Sequence, residues 1–230
     1  MPLRQKLVKE LLDTEKVHVD GLTTFVEQFM KPMREQNIIA PNHLQQMVIN
    51  IELVHSWHTQ FYNNLKNRIK KDLDKPFGDL FNHMASISFS VQLANFDSLF
   101  FQKIPVLRQL YAQFNENYQK ALELYRNTLE TNRTFGSFVE KKRQETGKDF
   151  LHYLYMPIQR VIAYDSLLKD IVHNTDKKLP DYADLHRGLQ SLRSLIKLAN
   201  ERAVQRKNSD KVLKIQEMLG DSVSNFYFGL

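Results

Sequence analysis

Apolar residues recur every three or four positions along most of this chain, a spacing that only an α-helix turns into a continuous face. The first stripe is Leu7, Val8, Leu11, Leu12, Leu22, Phe25, Val26, Phe29 and Met30. With Pro2 suited to a helix entrance, it predicts one helix over residues 2–30, ended near Pro32. A second stripe follows Pro41 without a gap: Leu44, Met47, Val48, Ile51, Val54, His58, Phe61, Leu65 and Ile69. Residues 70–76 read as a connection and 77–85 as a short helix. Further helices are predicted over 104–130, over 132–145 closed by Gly147, and over 151–174, the last interrupted or started at Pro157. Leu185, Leu189, Leu192, Ile196, Ala199 and Ala203 alternate gaps of four and three, a coiled-coil-like seam whose helix runs on towards Leu219 and stops at Gly220. No segment shows sustained strand alternation, and seven Gly and seven Pro in 230 residues are too few for a turn-rich β fold. The expected fold is all-α, an elongated bundle of long helices over residues 1–220 with a tail or linker at 221–230.

Composition removes several classes of function. The chain has no Cys, so disulfides and thiolate-metal sites are excluded, and a reducing cytoplasmic setting fits. No apolar run approaches the roughly 20 residues of a membrane span, and Met1-Pro2-Leu3-Arg4 begins no signal peptide. The formal charge of +6 suits an acidic partner or an anionic membrane surface, such as the inner face of the plasma membrane. There is no glycine-rich phosphate loop, no dinucleotide fingerprint, no His-Glu-x-x-His and no serine elbow, so the chain is not expected to carry out nucleotide chemistry itself or to need a cofactor.

A few polar positions break the apolar pattern. Val8, Glu15, Leu22 and Phe29 are spaced by seven, which puts a carboxylate in an apolar seam. It must either find a partner such as Arg160 on a neighbouring helix or line an open groove, because a lone buried charge is very costly. Glu15-Lys16-Val17-His18 and Glu52-Leu53-Val54-His55 are both Glu-x-x-His, the pair that di-iron carboxylate bundles use. Glu52 falls beside the seam, however, and nothing marks Glu123 or Glu201 as the two further ligands. His55 and His58, flanking Trp57, read as helix-surface and core-edge residues. Lys66, Arg68, Lys70 and Lys71 cluster where they complement a helix C-terminus, and no nucleic-acid motif accompanies them. Pro157 marks a helix start or kink, after which Gln159 and Arg160 would point out of the bundle. The stretch 86–102, rich in Phe and Ser with Asp97 its only charge, reads as a buried helix pair or an inserted hairpin.

Taken together, these segments resemble the Dbl-homology exchange domain of Rho-family guanine nucleotide exchange factors. Glu10-Leu11-Leu12-Asp13-Thr14-Glu15 through Leu22 is similar to that family's first conserved region, with His18 where Tyr is usual. Phe77-Gly78-Asp79-Leu80-Phe81 resembles its middle motif. Pro157-Ile158-Gln159-Arg160-Val161-Ile162-Ala163-Tyr164 through Lys169 is similar to its most diagnostic stretch, and Asn200-Glu201 to its late-helix pair. The resemblance covers residues 3–219, with 86–102 as an insertion. It implies a Rho- or Rac-type GTPase as partner and release of GDP by remodelling of the switch regions, without covalent chemistry. It implies Glu15 at the first switch, Gln159 and Asn200 at the second, and Tyr155 facing the GTPase β-sheet, with Arg160 beside them. Ala163 stands where the family usually has a basic residue, and Met156 replaces a frequent Lys. The alternative is a scaffold of the same fold with weak or no exchange, and a di-iron oxidoreductase stands further off.

Overall fold

A computed structural model describes residues 1–81, 106–197 and 200–201. Helix α1 spans Leu3–Thr24 and continues through a π-helical turn, Phe25–Met30, into α2, Lys31–Glu35. Pro32 therefore does not end the helix as expected. The Lys31 N–H reaches back to the Val26 carbonyl, one residue further than in an α-helix. This wide turn lies immediately before Pro32, which has no N–H to donate, and the chain passes it still helical.

The second stripe is likewise divided. α3 is Pro41–Val48 and α4 is Ile51–Ile69, broken at Ile49, whose φ is 52°. A β-branched residue in that region carries strain of about 1–3 kcal/mol. The break lets two halves of one stripe face different partners: α3 packs on α5, Val106–Thr131, while α4 packs on α1. The Asn50 amide, inside the break, donates to Gln113 of α5 at 2.9 Å.

After α5 the elements follow their local signals. α6, Arg133–Thr146, starts where Asn132 accepts from the Phe135 N–H at 3.0 Å and stops at left-handed Gly147. α7, Phe150–His173, is capped by Asp149, which accepts from the His152 N–H at 2.6 Å. Pro157 lies inside α7 and does not interrupt it, so Gln159 and Arg160 are mid-helix residues rather than the start of a new one. The Pro157 ring is buried, and that packing offsets the backbone bond it forgoes. Last comes α8, residues 180–197, with helix again at 200–201. Leu185, Leu189, Leu192 and Leu195 of its seam are buried. Ala199 and Ala203, the 86–102 stretch and the 221–230 tail lie outside the described residues, and of the helix expected over 77–85 only 78–81 lies within them. Among the described residues there is no strand.

α1 and α7 run antiparallel as the central pair. Phe25 meets Phe150 edge-on at 4.9 Å and stacks on Tyr153 at 5.7 Å. Further along, the helices approach closely at Gly21, where a Cβ would lie 2.4 Å from the Met156 Cε. At the other end buried Arg4 donates to Asp181 at 2.7 Å, Thr175 at 3.2 Å and the Leu73 carbonyl at 3.1 Å. Asp181 also accepts from the Phe77 and Gly78 N–H groups at 2.9 and 2.7 Å, so one carboxylate starts the helix at 78 and anchors both α1 and α8.

Two glycines separate close packing from open surface. A Cβ at Gly78 would lie 2.5 Å from the Leu185 backbone nitrogen, whereas one at Gly136, inside α6, meets nothing nearer than 3.7 Å. Gly78→Ala is expected to destabilise the domain by about 1–3 kcal/mol. Gly136→Ala is expected to stabilise it by up to about 1 kcal/mol through helix propensity. Urea unfolding of both variants checks the pair; equal shifts would place the α8 contact wrongly.

Candidate functional site

The centre of the site is the Glu15 carboxylate, which has no solvent exposure. One oxygen accepts from the Arg160 Nε at 2.8 Å and Nη2 at 2.7 Å, and from the Tyr164 hydroxyl. The other lies 2.7 Å from His58 Nδ1, which donates to it. His58 Nε2 in turn pairs with the Tyr111 hydroxyl at 2.7 Å. Arg160 spends its remaining donors on the Thr14 hydroxyl at 3.0 Å and the Leu11 carbonyl at 3.3 Å, and its guanidinium lies 4.3 Å from the Tyr164 ring centre. Helices α1, α4, α5 and α7 thus meet at one ion.

Burial alone would raise the Glu15 pKa, but the His58 imidazole and its hydrogen bond, with Arg160 and Tyr164, outweigh it and hold the carboxyl below its ordinary value. The Tyr164 and Tyr111 hydroxyls are pushed well up, by burial first and by the Glu15 charge second. Both therefore stay protonated and able to donate. His18 completes the cluster. It is buried, its ring meets His58 edge-on at 4.4 Å, and its Nε2 has no hydrogen-bond partner. Burial drives its pKa well below the ordinary value, and His58, Arg160 and His55 add to the effect, so the ring is neutral.

This geometry corrects part of the sequence reading. Glu15 does not line an open groove; the pairing with Arg160 is the arrangement found, reinforced by His58 and Tyr164, which spacing alone did not reveal. Arg160 is only 5% exposed and does not point out of the bundle. His58 is fully buried rather than at the core edge. Glu52 turns away from the Glu15 cluster to the surface, 3.3 Å from Arg34, so the two Glu-x-x-His segments do not converge. In the basic cluster Arg68 is tied to Asp79 at 2.9 Å and to the Pro76 carbonyl.

The other anticipated residues reach the surface. Tyr155, Gln159 and Asn200 are exposed and Ala163 is half-buried. Tyr155 leans on Tyr118 of α5, ring centres 5.7 Å apart. The exposed positions of α7 here are Tyr155, Gln159, Ile162 and Ser166, one face of the helix. Beside it on α1 run Glu10 and Val17, on the side that Thr14 and Gly21 turn towards α7. Val17 is 68% and Ile162 58% exposed, an unusual setting for two large aliphatic side chains on a bundle's central helices. Sequence reasoning passed over Glu10, Val17 and Ile162. Their signal was available, since each lies off the apolar seam of its helix.

Long antiparallel helices, a buried ion cluster and an outer face mixing aliphatic and amide side chains define a helical module built to present a rigid surface. The chain belongs to the RhoGEF domain family, whose pattern it matches over residues 7–200. It is 26% identical over 224 residues to the guanine exchange factor for Rac 30 of Dictyostelium discoideum, covering 96% of this chain and 12% of that protein. It is 27% identical over 222 residues to the human Rho guanine nucleotide exchange factor 10, covering 94% and 15%. The chain thus spans a small part of the length of these relatives. Among solved structures it is similar to the DH/PH domain of human ARHGEF11 in a complex containing human RhoA, with a TM-score of 0.78, 21% identity, and 93% of this chain and 57% of that one covered. The DH/PH domains of p115-RhoGEF give a TM-score of 0.77 at 20% identity over 93% of this chain and 60% of that one.

Two outcomes follow from the cluster. Glu15→Ala leaves Arg160 buried without its carboxylate and is expected to cost about 3–5 kcal/mol, read as a large fall in melting temperature. A variant that melts like the unmodified protein would show the cluster to be solvated. The second outcome concerns acid. Because the His18 pKa is lowered on folding from an ordinary value of 6.5, the unfolded chain takes up a proton that the folded one resists. Stability should fall as pH drops below about 6.5, with a slope of up to about 1.4 kcal/mol per pH unit from this ring. His55, whose pKa is also lowered, chiefly by burial, adds to the slope. Glu15 contributes a further loss at lower pH, as its carboxylate takes up a proton. His18→Phe should flatten the region between pH 6.5 and 5; an unchanged slope in pH-dependent urea unfolding would acquit the ring.

Proposed function

We propose that this chain is a guanine nucleotide exchange module for a Rho- or Rac-type small GTPase, working without covalent chemistry. The observation that carries the reading is the outer face of α7 and α1. Gln159, Tyr155 and Ile162 are displayed beside Glu10 and Val17, with Asn200 at the end of α8, on a backbone held from beneath by the Glu15–Arg160 ion pair. Family membership supports the same reading. Gln159 and Asn200 would engage the second switch and Tyr155 the GTPase β-sheet. For the first switch, the carboxylate in position to make contact is Glu10, which is exposed one turn before Thr14, and not Glu15. Glu15 and Arg160 would act as positioning residues that fix the backbone carrying Gln159.

The partner, not this chain, holds the nucleotide. A domain that binds the GTPase better when nucleotide and metal are absent weakens their binding by the same factor. Each tenfold weakening requires about 1.4 kcal/mol of differential contact. A rigid face suits this role, because little of that contact is lost to ordering the exchange module itself. No described helix is long and apolar enough to cross a membrane. A cytoplasmic module, drawn to the inner face of the plasma membrane by its basic charge, is consistent with that.

Ala163 favours the second reading, a scaffold of this fold with weak exchange, because it removes the basic side chain usual at that position. Release of a fluorescent nucleotide from a panel of Rho, Rac and related GTPases separates the two. The exchange reading expects acceleration for at least one member, reduced about tenfold or more by Glu10→Ala, a charged hydrogen bond being worth about 1.5–3 kcal/mol. It expects Ala163→Lys to raise the rate about fivefold, as an added surface cation can contribute on the order of 1 kcal/mol. No acceleration by folded protein for any member leaves the scaffold.

A further inference from the structure

Arg193, Lys197 and Asn200 are spaced i, i+4 and i+7 and so share one face of α8 and its continuation. That face lies along α7, because the Arg193 Nε donates to Asp165 at 2.6 Å. The two helices are joined by the short turn at 174–179 and run antiparallel, so advancing along α8 means retreating along α7. From the Arg193–Asp165 level, Lys197 is one turn further and comes level with residues 161–162, and Asn200 with the neighbourhood of Gln159. Lys197 therefore stands at the edge of the outer face, beside the region where Ala163 leaves no cation.

The two basic residues of this stripe are in different states. Arg193 is committed to Asp165, whereas Lys197 is 79% exposed and its ion partner among the described residues is Glu201, 3.9 Å away and itself 55% exposed. At that separation there is no hydrogen bond, and so exposed a pair contributes little. The exposed positions of α7 between Tyr155 and Ser166 carry no charge at all. Lys197 is thus a positive group next to the uncharged strip, free to be redirected.

Resting on the exchange reading above, we propose that Lys197 supplies from α8 the cationic contact that position 163 does not, pairing with a carboxylate of the GTPase's second switch. The cation then reaches the GTPase from the Asn200 side of the face. The preferred partner is a Rho-family member whose switch carboxylate is accessible from that side, and Lys197 becomes a residue that determines specificity.

The test is a charge reversal in two backgrounds, using the GTPase that responds best to the unmodified chain. Lys197→Glu alone should slow nucleotide release about tenfold, in line with like charges opposed across an interface. In an Ala163→Lys background, where the strip has its own cation, the same reversal should cost under about threefold. Lys178→Glu, in the turn at the other end of α8, should change neither rate. Melting temperatures should stay level throughout, since Lys197 packs on nothing. An undiminished rate for Lys197→Glu, or an equal loss in both backgrounds, overturns the substitution of 197 for 163 while leaving exchange intact. If the unmodified chain releases nucleotide from no GTPase, the exchange reading fails, and this proposal fails with it.

Discussion

A single carboxylate organises this domain. Desolvating Glu15 is affordable only because four helices deliver donors to it: Arg160 and Tyr164 from α7, and His58 from α4 with Tyr111 of α5 behind it. Such an ion pair is a poor source of stability compared with an apolar core of equal volume. What it provides is register. Two apolar helices can slide past one another by a turn at modest cost, but a slide between α1 and α7 would strand both Glu15 and Arg160. Each residue displayed on the outer face of α7 inherits its position along the bundle from that pairing.

The same pairing explains why Gln159 can be exposed and still well placed. Its neighbour Arg160 is fixed at five donor positions' worth of geometry to α1, while Pro157, two residues earlier, is buried without disturbing the helix. Close approach at Gly21 adds a steric stop against Met156. A binding face of this kind is preorganised from below, by groups that never touch the partner.

Much of this was legible in the sequence. Helical periodicity located every described helix, because apolar spacing reports directly on which face is buried. The caps at Asn132, Asp149 and Gly147 are local chemistry and fall where their residue types put them. Three features were not legible. The break at Ile49 leaves the apolar period intact and changes only its direction, and direction is a tertiary property. Pro32 and Pro157 look like stops because their cost is local, whereas the compensation, a wide turn in one case and burial in the other, comes from surroundings that spacing does not encode. The role of Glu15 turned on whether its partners converge. Arg160 could be named from the sequence, but His58 looked like one more member of an apolar stripe.

The wide turn at Phe25–Met30 has a consequence for how this helix tolerates length changes. A π turn holds one residue more than an α turn, so the chain there stores a surplus position. Deleting one residue from that segment would regularise the helix, yet it would rotate everything beyond it by about 100°. Met33, now fully buried, would swing out of the core, and the approach to α3 would leave in another direction. The segment upstream, with the register of Glu15, would keep its phase. The turn therefore acts as a phase joint: it lets the half of the helix that faces α7 and the half that leads towards α3 obey separate packing demands within one unbroken rod.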